Sequence, residues 1–164
     1  MKYTLRILMA AALLLMLAGC QTTDNNSVPF YYCRSPETKA YFEDEGIIHS
    51  EFRELTGHRS DLHYMVGLYL AGPMDEDLLD PFTRQTRLLD LQQKDSRILI
   101  ELSDHTKSMS DSDFSLSCAC LTLTCLEFTG CQSVTIASGD CTVTMDRDHI
   151  ILQDTLPNQE NTGG

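Results

Sequence analysis

Ser110-Asp111-Ser112-Asp113-Phe114-Ser115-Leu116-Ser117-Cys118-Ala119-Cys120-Leu121-Thr122-Leu123-Thr124-Cys125-Leu126-Glu127-Phe128-Thr129-Gly130 is the run on which the class of fold turns. Two periods compete in it. Phe114, Cys118, Leu121, Cys125 and Phe128 recur at helical spacing, while Leu121, Leu123 and Cys125 alternate with Thr122 and Thr124 as in a strand. Length settles the conflict, because Ser112 to Phe128 is too long for an ordinary strand. The ends agree with a helix. Ser110 with Asp113 three residues on resembles a capping box, and Gly130 suits a left-handed stop.

Period two governs the sequence on both sides of this helix. Upstream, Leu89 and Leu91 alternate with Asp90 and Gln92. After Gln93-Lys94-Asp95-Ser96, Ile98, Ile100 and Leu102 alternate with Leu99 and Glu101, which predicts a half-buried hairpin. Downstream, Val134 and Ile136 and then Thr142 to Met145 flank Ser138-Gly139-Asp140, a second hairpin. Ile150 to Leu152 is a candidate edge strand. Nearer the start, Asp61 can cap a helix whose apolar stripe is Leu62, Met65, Val66, Tyr69 and Leu70. Gly72 and Pro73 end it. Ser27 to Cys33 reads as a first strand, and Ile47 to Arg53 as an extended segment. The expected class is therefore α+β: a small mixed β-sheet with two helices packed on one face, in the order β-α-β-β-α-β with a hairpin extension.

The N-terminus says where such a domain would work. Lys2 and Arg6 precede an apolar run from Ile7 to Leu17, too short to span a bilayer as a stable helix. Leu17-Ala18-Gly19-Cys20 then resembles a bacterial lipobox. That resemblance implies lipidation of Cys20 by diacylglycerol, with acyl chains such as palmitate, and cleavage just before it. The expected layout is a signal peptide over 1–19, the lipidated Cys20 and a polar tether over 20–27, one domain over 28–153 and a disordered tail over 154–164. The protein would be held at the cell membrane on its extracytoplasmic side.

Charge narrows the partners. The 164 residues carry a formal net charge of −12, and loss of the signal would remove Lys2 and Arg6 as well. Such a chain is repelled by phosphate backbones and anionic head groups, so nucleic acid is not an expected partner. Contact with the membrane is expected through Cys20 alone.

There are seven cysteines. With Cys20 assigned to lipid, Cys33, Cys118, Cys120, Cys125, Cys131 and Cys141 remain. We read them mainly as buried free thiols, since cysteine behaves as a small hydrophobe. Disulfides and a metal site are the alternatives. A single disulfide would most naturally join Cys131 to Cys141 across the last hairpin. No short interval has the paired Cys-x-x-Cys form of a zinc ribbon.

Several stretches together resemble the GerM domain. Leu68-Tyr69-Leu70-Ala71-Gly72-Pro73 is similar to the end of that family's first helix. Thr86-Arg87-Leu88-Leu89 with Ile98-Leu99-Ile100-Glu101-Leu102-Ser103 resembles its central hairpin. Leu123 to Gly130, then Val134-Thr135-Ile136 and Gly139, resembles its last helix, strand and turn. Gly46-Ile47-Ile48 with Arg53 fits the early extended segment less well. The resemblance spans residues 28 to 146. It implies a ring-building-motif-like fold and a non-catalytic scaffold or assembly role in the cell envelope, linked to sporulation or germination. One departure is that the sporulation protein naming the family carries two such domains, where this chain has room for one.

No catalytic or cofactor-binding residue is expected. The histidines His49, His58, His63, His105 and His149 show no ligand spacing, and there is no Gly-x-Ser-x-Gly elbow or phosphate loop. Asp75-Glu76-Asp77 with Asp80, and Glu43-Asp44-Glu45, read as solvated acidic loops, lacking the ligand alternation of a calcium loop. The alternative function is a lipid-anchored binding module for a cell-wall fragment or small ligand, with Tyr31, Tyr41 and Tyr64 as candidate stacking groups. Assembly would instead use a sheet edge, for which the strand around Val143 is the candidate.

Overall fold

The computed structural model describes residues 27–35, 46–104 and 109–150. Strand β1 (Ser27–Cys33) pairs antiparallel with β2 (Ile48–Glu54), from Ser27 opposite Glu54 to Cys33 opposite Ile48. Helix α1 (Leu62–Leu70) follows, then β3 (Leu88–Lys94), β4 (Arg97–Leu102), helix α2 (Asp111–Thr129), β5 (Ser133–Ser138) and β6 (Cys141–Asp146). A short 3₁₀ turn, Arg147–His149, closes the described chain. The class is α+β, and the strands divide between a two-stranded sheet and a four-stranded sheet ordered β3-β4-β5-β6.

The four-stranded sheet is mixed for a topological reason. Tight hairpins join β3 to β4 and β5 to β6, so those pairs are antiparallel. β4 and β5 are parallel, and α2 supplies the crossover that parallel neighbours require. Register places Ile98 opposite Val134, Ile100 opposite Ile136 and Leu102 opposite Ser138. All six are buried, while Leu99 and Glu101 between them face out.

Both helices begin and end as their sequences dictate. Asp61 accepts from the Tyr64 N–H at 2.9 Å, and Leu62, Met65, Val66 and Tyr69 are buried. Gly72, at φ +93°, turns the chain away. In α2 the Ser110 hydroxyl accepts from the Asp113 N–H at 3.1 Å and donates to the Asp113 carboxylate at 2.7 Å. Gly130 ends the helix at φ +69°. From Ser117 to Leu126 every residue but Ala119 is buried. A helix apolar on nearly all sides needs cover on nearly all sides. β1 runs along it, β5 and β6 pack against it, and α1 touches it as well.

Three details depart from the expected layout. Leu89 is 60% exposed, because the β3–β4 register slips between Leu88 and Asp90 and leaves Leu89 as the extra residue of a bulge. The turn after β3 is only Asp95-Ser96, with Lys94 already paired to Arg97. The first strand does not join the large sheet: one edge of it pairs with β2 and the chain lies along α2. Of the proposed strand Ile150 to Leu152, only Ile150 is described, where it ends the 3₁₀ turn; the other two residues lie outside the described residues.

Candidate functional site

β1 carries two kinds of side chain. Phe30 and Tyr32 are fully buried, whereas Tyr31 and Cys33 are half-buried. The Tyr32 ring stacks on Tyr69 of α1 with centroids 4.8 Å apart. Over this aromatic layer lies the guanidinium of Arg53, 4.9 Å from the Phe30 centroid and 5.6 Å from that of Tyr32. Arg53 donates to the Leu68 carbonyl at 3.0 Å, to the Gly72 carbonyl at 2.6 Å and to Glu51 at 2.6 Å. Glu51 in turn accepts from the Met74 and Asp75 N–H groups at 3.0 Å each. This network fastens β2 to the end of α1, where the last carbonyls of a helix lack partners. It is structural chemistry, and burial raises the Tyr32 and Tyr69 hydroxyl pKa values further from any acid–base role.

The acidic loop after α1 is part of the same frame. The Leu79 N–H donates to the Cys33 carbonyl at 2.8 Å, and the Ser35 N–H to the Asp77 carbonyl at 2.9 Å. Leu78 and Phe82 are buried, and Asp80 pairs with Arg84. Asp75 accepts from the Asp77 N–H rather than turning toward a shared centre. Glu43-Asp44-Glu45 lies outside the described residues.

The six cysteines sort by depth. Cys118, Cys120 and Cys125 are buried in α2, Cys33 and Cys131 are half-buried, and Cys141 is exposed. All are free thiols. Burial pushes Cys118 up to about 12, and Cys141 adds to the shift. Cys125 is raised by burial and by Cys131. Cys33 lies 3.6 Å from Cys120, sulfur to sulfur, and that hydrogen bond holds the Cys33 thiol below its ordinary value. A bond between Cys131 and Cys141 does not fit the register. Cys141 sits opposite Ser138 at the turn of the last hairpin, whereas Cys131 precedes Ser133 at its open end.

The remaining candidates are scattered. His49 bonds the Gly46 carbonyl, His58 stacks on Tyr64, His63 is exposed on α1 and His149 pairs with Asp146. His105, Tyr41 and the lipidation candidate Cys20 lie outside the described residues. Tyr31 donates its backbone N–H to Thr124 of α2, while Tyr64 stands on α1 against His58. Beside Cys33 runs a groove of about 550 Å³, walled by Ile47, Leu79, Pro81 and Leu116 with Asp80 and Asp113 at its margins. Neither Tyr31 nor Tyr64 lines it. β6 forms an edge of the large sheet, with Val143 half-buried and Thr142 and Thr144 exposed. Thr144 and Thr135 join their hydroxyls at 2.9 Å on the outer face.

The sequence did not signal the Arg53–Glu51 clamp or the Cys33–Cys120 pair. The first joins a strand to a helix end through backbone carbonyls, and the second joins residues 87 positions apart. Glu51 and Arg53 stand two positions apart, but the carbonyls that Arg53 reaches lie 15 and 19 positions on, and neither they nor the cysteine pair leave a local spacing to read.

No family model matches the chain. No curated protein matches it. Among solved structures it is similar to a "Putative Lipoprotein from Clostridium perfringens", at 15% identity and a TM-score of 0.47, over 74% of this chain and 87% of that one. At that level the functional reading rests on the residues themselves. Among the described residues no helix is long and apolar enough to cross a membrane.

Proposed function

We propose that this chain is a lipid-anchored extracytoplasmic assembly module with a GerM-like domain, acting through protein contacts and not through catalysis. The observation carrying the assembly reading is the β6 edge. β6 pairs with β5 on one side only, and an edge strand can accept another strand by backbone hydrogen bonds. The GerM reading is supported by the order of the motifs within the fold. Gly72-Pro73 follows α1, Thr86 to Ser103 spans the β3–β4 hairpin, and Leu123 to Gly130 forms the last turns of α2. A role in sporulation or germination comes with that family, and expression confined to a mother-cell programme is its test. The anchor rests on Leu17-Ala18-Gly19-Cys20; Cys20→Ser should release the protein from membranes or leave the precursor uncut.

A photo-crosslinking residue placed at Thr142 of the full chain in native membranes tests the edge. It should capture a protein, whether another copy or a different chain, while the same residue at Glu76 should not. Equal capture at both positions, or none at either, would remove the edge from the argument. The second reading, a binding module for a cell-wall fragment or small ligand, is favoured by the groove beside Cys33. Saturable binding of such fragments, abolished by Leu116→Arg, would move the function there.

A further inference from the structure

Strand β1 and helix α2 touch at two points in matching register. The Tyr31 N–H donates to Thr124 Oγ1 at 2.9 Å, and Cys33 Sγ lies 3.6 Å from Cys120 Sγ. Two residues of strand advance about 6.6 Å and four residues of helix about 6 Å, so the strand from Tyr31 to Cys33 keeps step with the helix from Thr124 back to Cys120. The register therefore keeps the two cysteines side by side, each thiol within reach of the other. A disulfide needs sulfurs about 2.05 Å apart, which leaves a closure of about 1.5 Å for side-chain rotation.

We propose that Cys33 and Cys120 are a redox site, which closes to a disulfide by exchange with a low-molecular-weight disulfide such as oxidised glutathione. Access sets the order of events. Cys33 is half-buried and opens on the groove walled by Ile47, Leu79 and Leu116, whereas Cys120 is 1% exposed. The Cys33 thiolate attacks one sulfur of the small disulfide, and the other sulfur leaves as a thiolate that takes up the proton lost from Cys33. Cys120, its proton passing to the departing sulfur, then attacks the Cys33 sulfur of the mixed disulfide and expels the second small thiol. Two protein thiols are oxidised and one small disulfide is reduced to two thiols. The hydrogen bond from Cys120 favours Cys33 as the thiolate that attacks first. Closure would pin β1 to the helix that carries the core, and would remove the thiol that faces the groove.

The test uses the full chain in detergent, treated with oxidised glutathione, quenched with alkylating reagent and digested without reductant. Mass spectrometry should find the Cys33 and Cys120 peptides joined, with loss of Cys33 alkylation. Cys120→Ser should instead accumulate glutathione on Cys33, and Cys33→Ser should leave Cys120 untouched. Glutathione remaining on Cys33 equally in the wild type and in Cys120→Ser would overturn the proposal. So would a wild-type link from Cys33 to any other cysteine, or a Cys33 that never reacts. The wild-type measurement decides alone if either variant fails to fold.

Discussion

Arg53 Nη2 donates to the carbonyl of Gly72 at 2.6 Å, across the end of α1, while its other nitrogens hold Leu68 and Glu51. The side chains of Arg53 and Glu51 are only 4% and 12% exposed. Removing one member of such a pair leaves a buried charge and unpaired carbonyls. Arg53→Ala should therefore cost about 3–5 kcal/mol in urea unfolding. Arg53→Lys should recover only part of this, since an ammonium cannot span three acceptors set for a planar fork. A loss below about 1 kcal/mol, the range of exposed pairs, would mean the network contributes nothing beyond surface contact.

Gly72 and Gly57 offer a matched comparison. Both have positive φ, +93° and +81°. A Cβ on Gly57 meets nothing within 4 Å, whereas one on Gly72 would stand 2.5 Å from Asp80 Oδ1. Gly57→Ala should lose about 1–2 kcal/mol for the left-handed backbone alone. Gly72→Ala should lose more, because Asp80 must also move from its pairing with Arg84. Equal losses in chemical denaturation would show that the contact is relieved without cost.

Met65 tests the packing of α1. It is fully buried in the stripe with Leu62, Val66 and Tyr69. Met65→Ala should destabilise the fold by about 2–5 kcal/mol. His63→Ala, two residues earlier and on the exposed face, should change little.

What could be read from the sequence was local. The ends of α2 follow from Ser110 and Gly130, because capping involves residues a few positions apart. The inward set of β4 follows from alternation, and all of Ile98, Ile100 and Leu102 are buried. Leu89 broke the pattern because a bulge exists only in the pairing of two strands. In β2, alternation is inverted against hydrophobicity: Phe52 is 67% exposed and Arg53 is 5% exposed. Only the position of the α1 carbonyls explains that choice, and no window around Arg53 contains them. The thiols divide in the same way. That Cys118, Cys120 and Cys125 are buried was legible in one apolar run, whereas the partner of Cys120 depends on how β1 lies along α2.

Thiol chemistry should follow depth. Cys118, pushed up to about 12 by burial, and Cys125, raised by the same cause, should resist a polar alkylating reagent in the folded protein. Cys141 is exposed and should react first under reducing conditions. Denaturant should bring all of them to one rate. Rapid native labelling of Cys125 would contradict its place in the core.

The end of the described chain should be sensitive to pH in a defined direction. His149 Nδ1 lies 2.5 Å from Asp146 Oδ1, and the His149 N–H donates to the same oxygen at 3.1 Å. That hydrogen bond raises His149 above its ordinary 6.5 and is also the main cause holding Asp146 below 3.8. The signs are opposite. The histidine contribution is fully present below 6.5 and is lost as pH rises through the raised value. The carboxylate contribution is present above 3.8 and is lost as pH falls through the lowered value. The 3₁₀ turn should thus be tightest between those limits and loosen on either side. Both groups are exposed, so solvent screens the pair and the global stability should move little. The readout is therefore local: NMR titration of the His149 ring should show a midpoint above 6.5, and Asp146→Asn should bring it back toward that value. An unchanged midpoint in the variant would show that the pair does not form in solution.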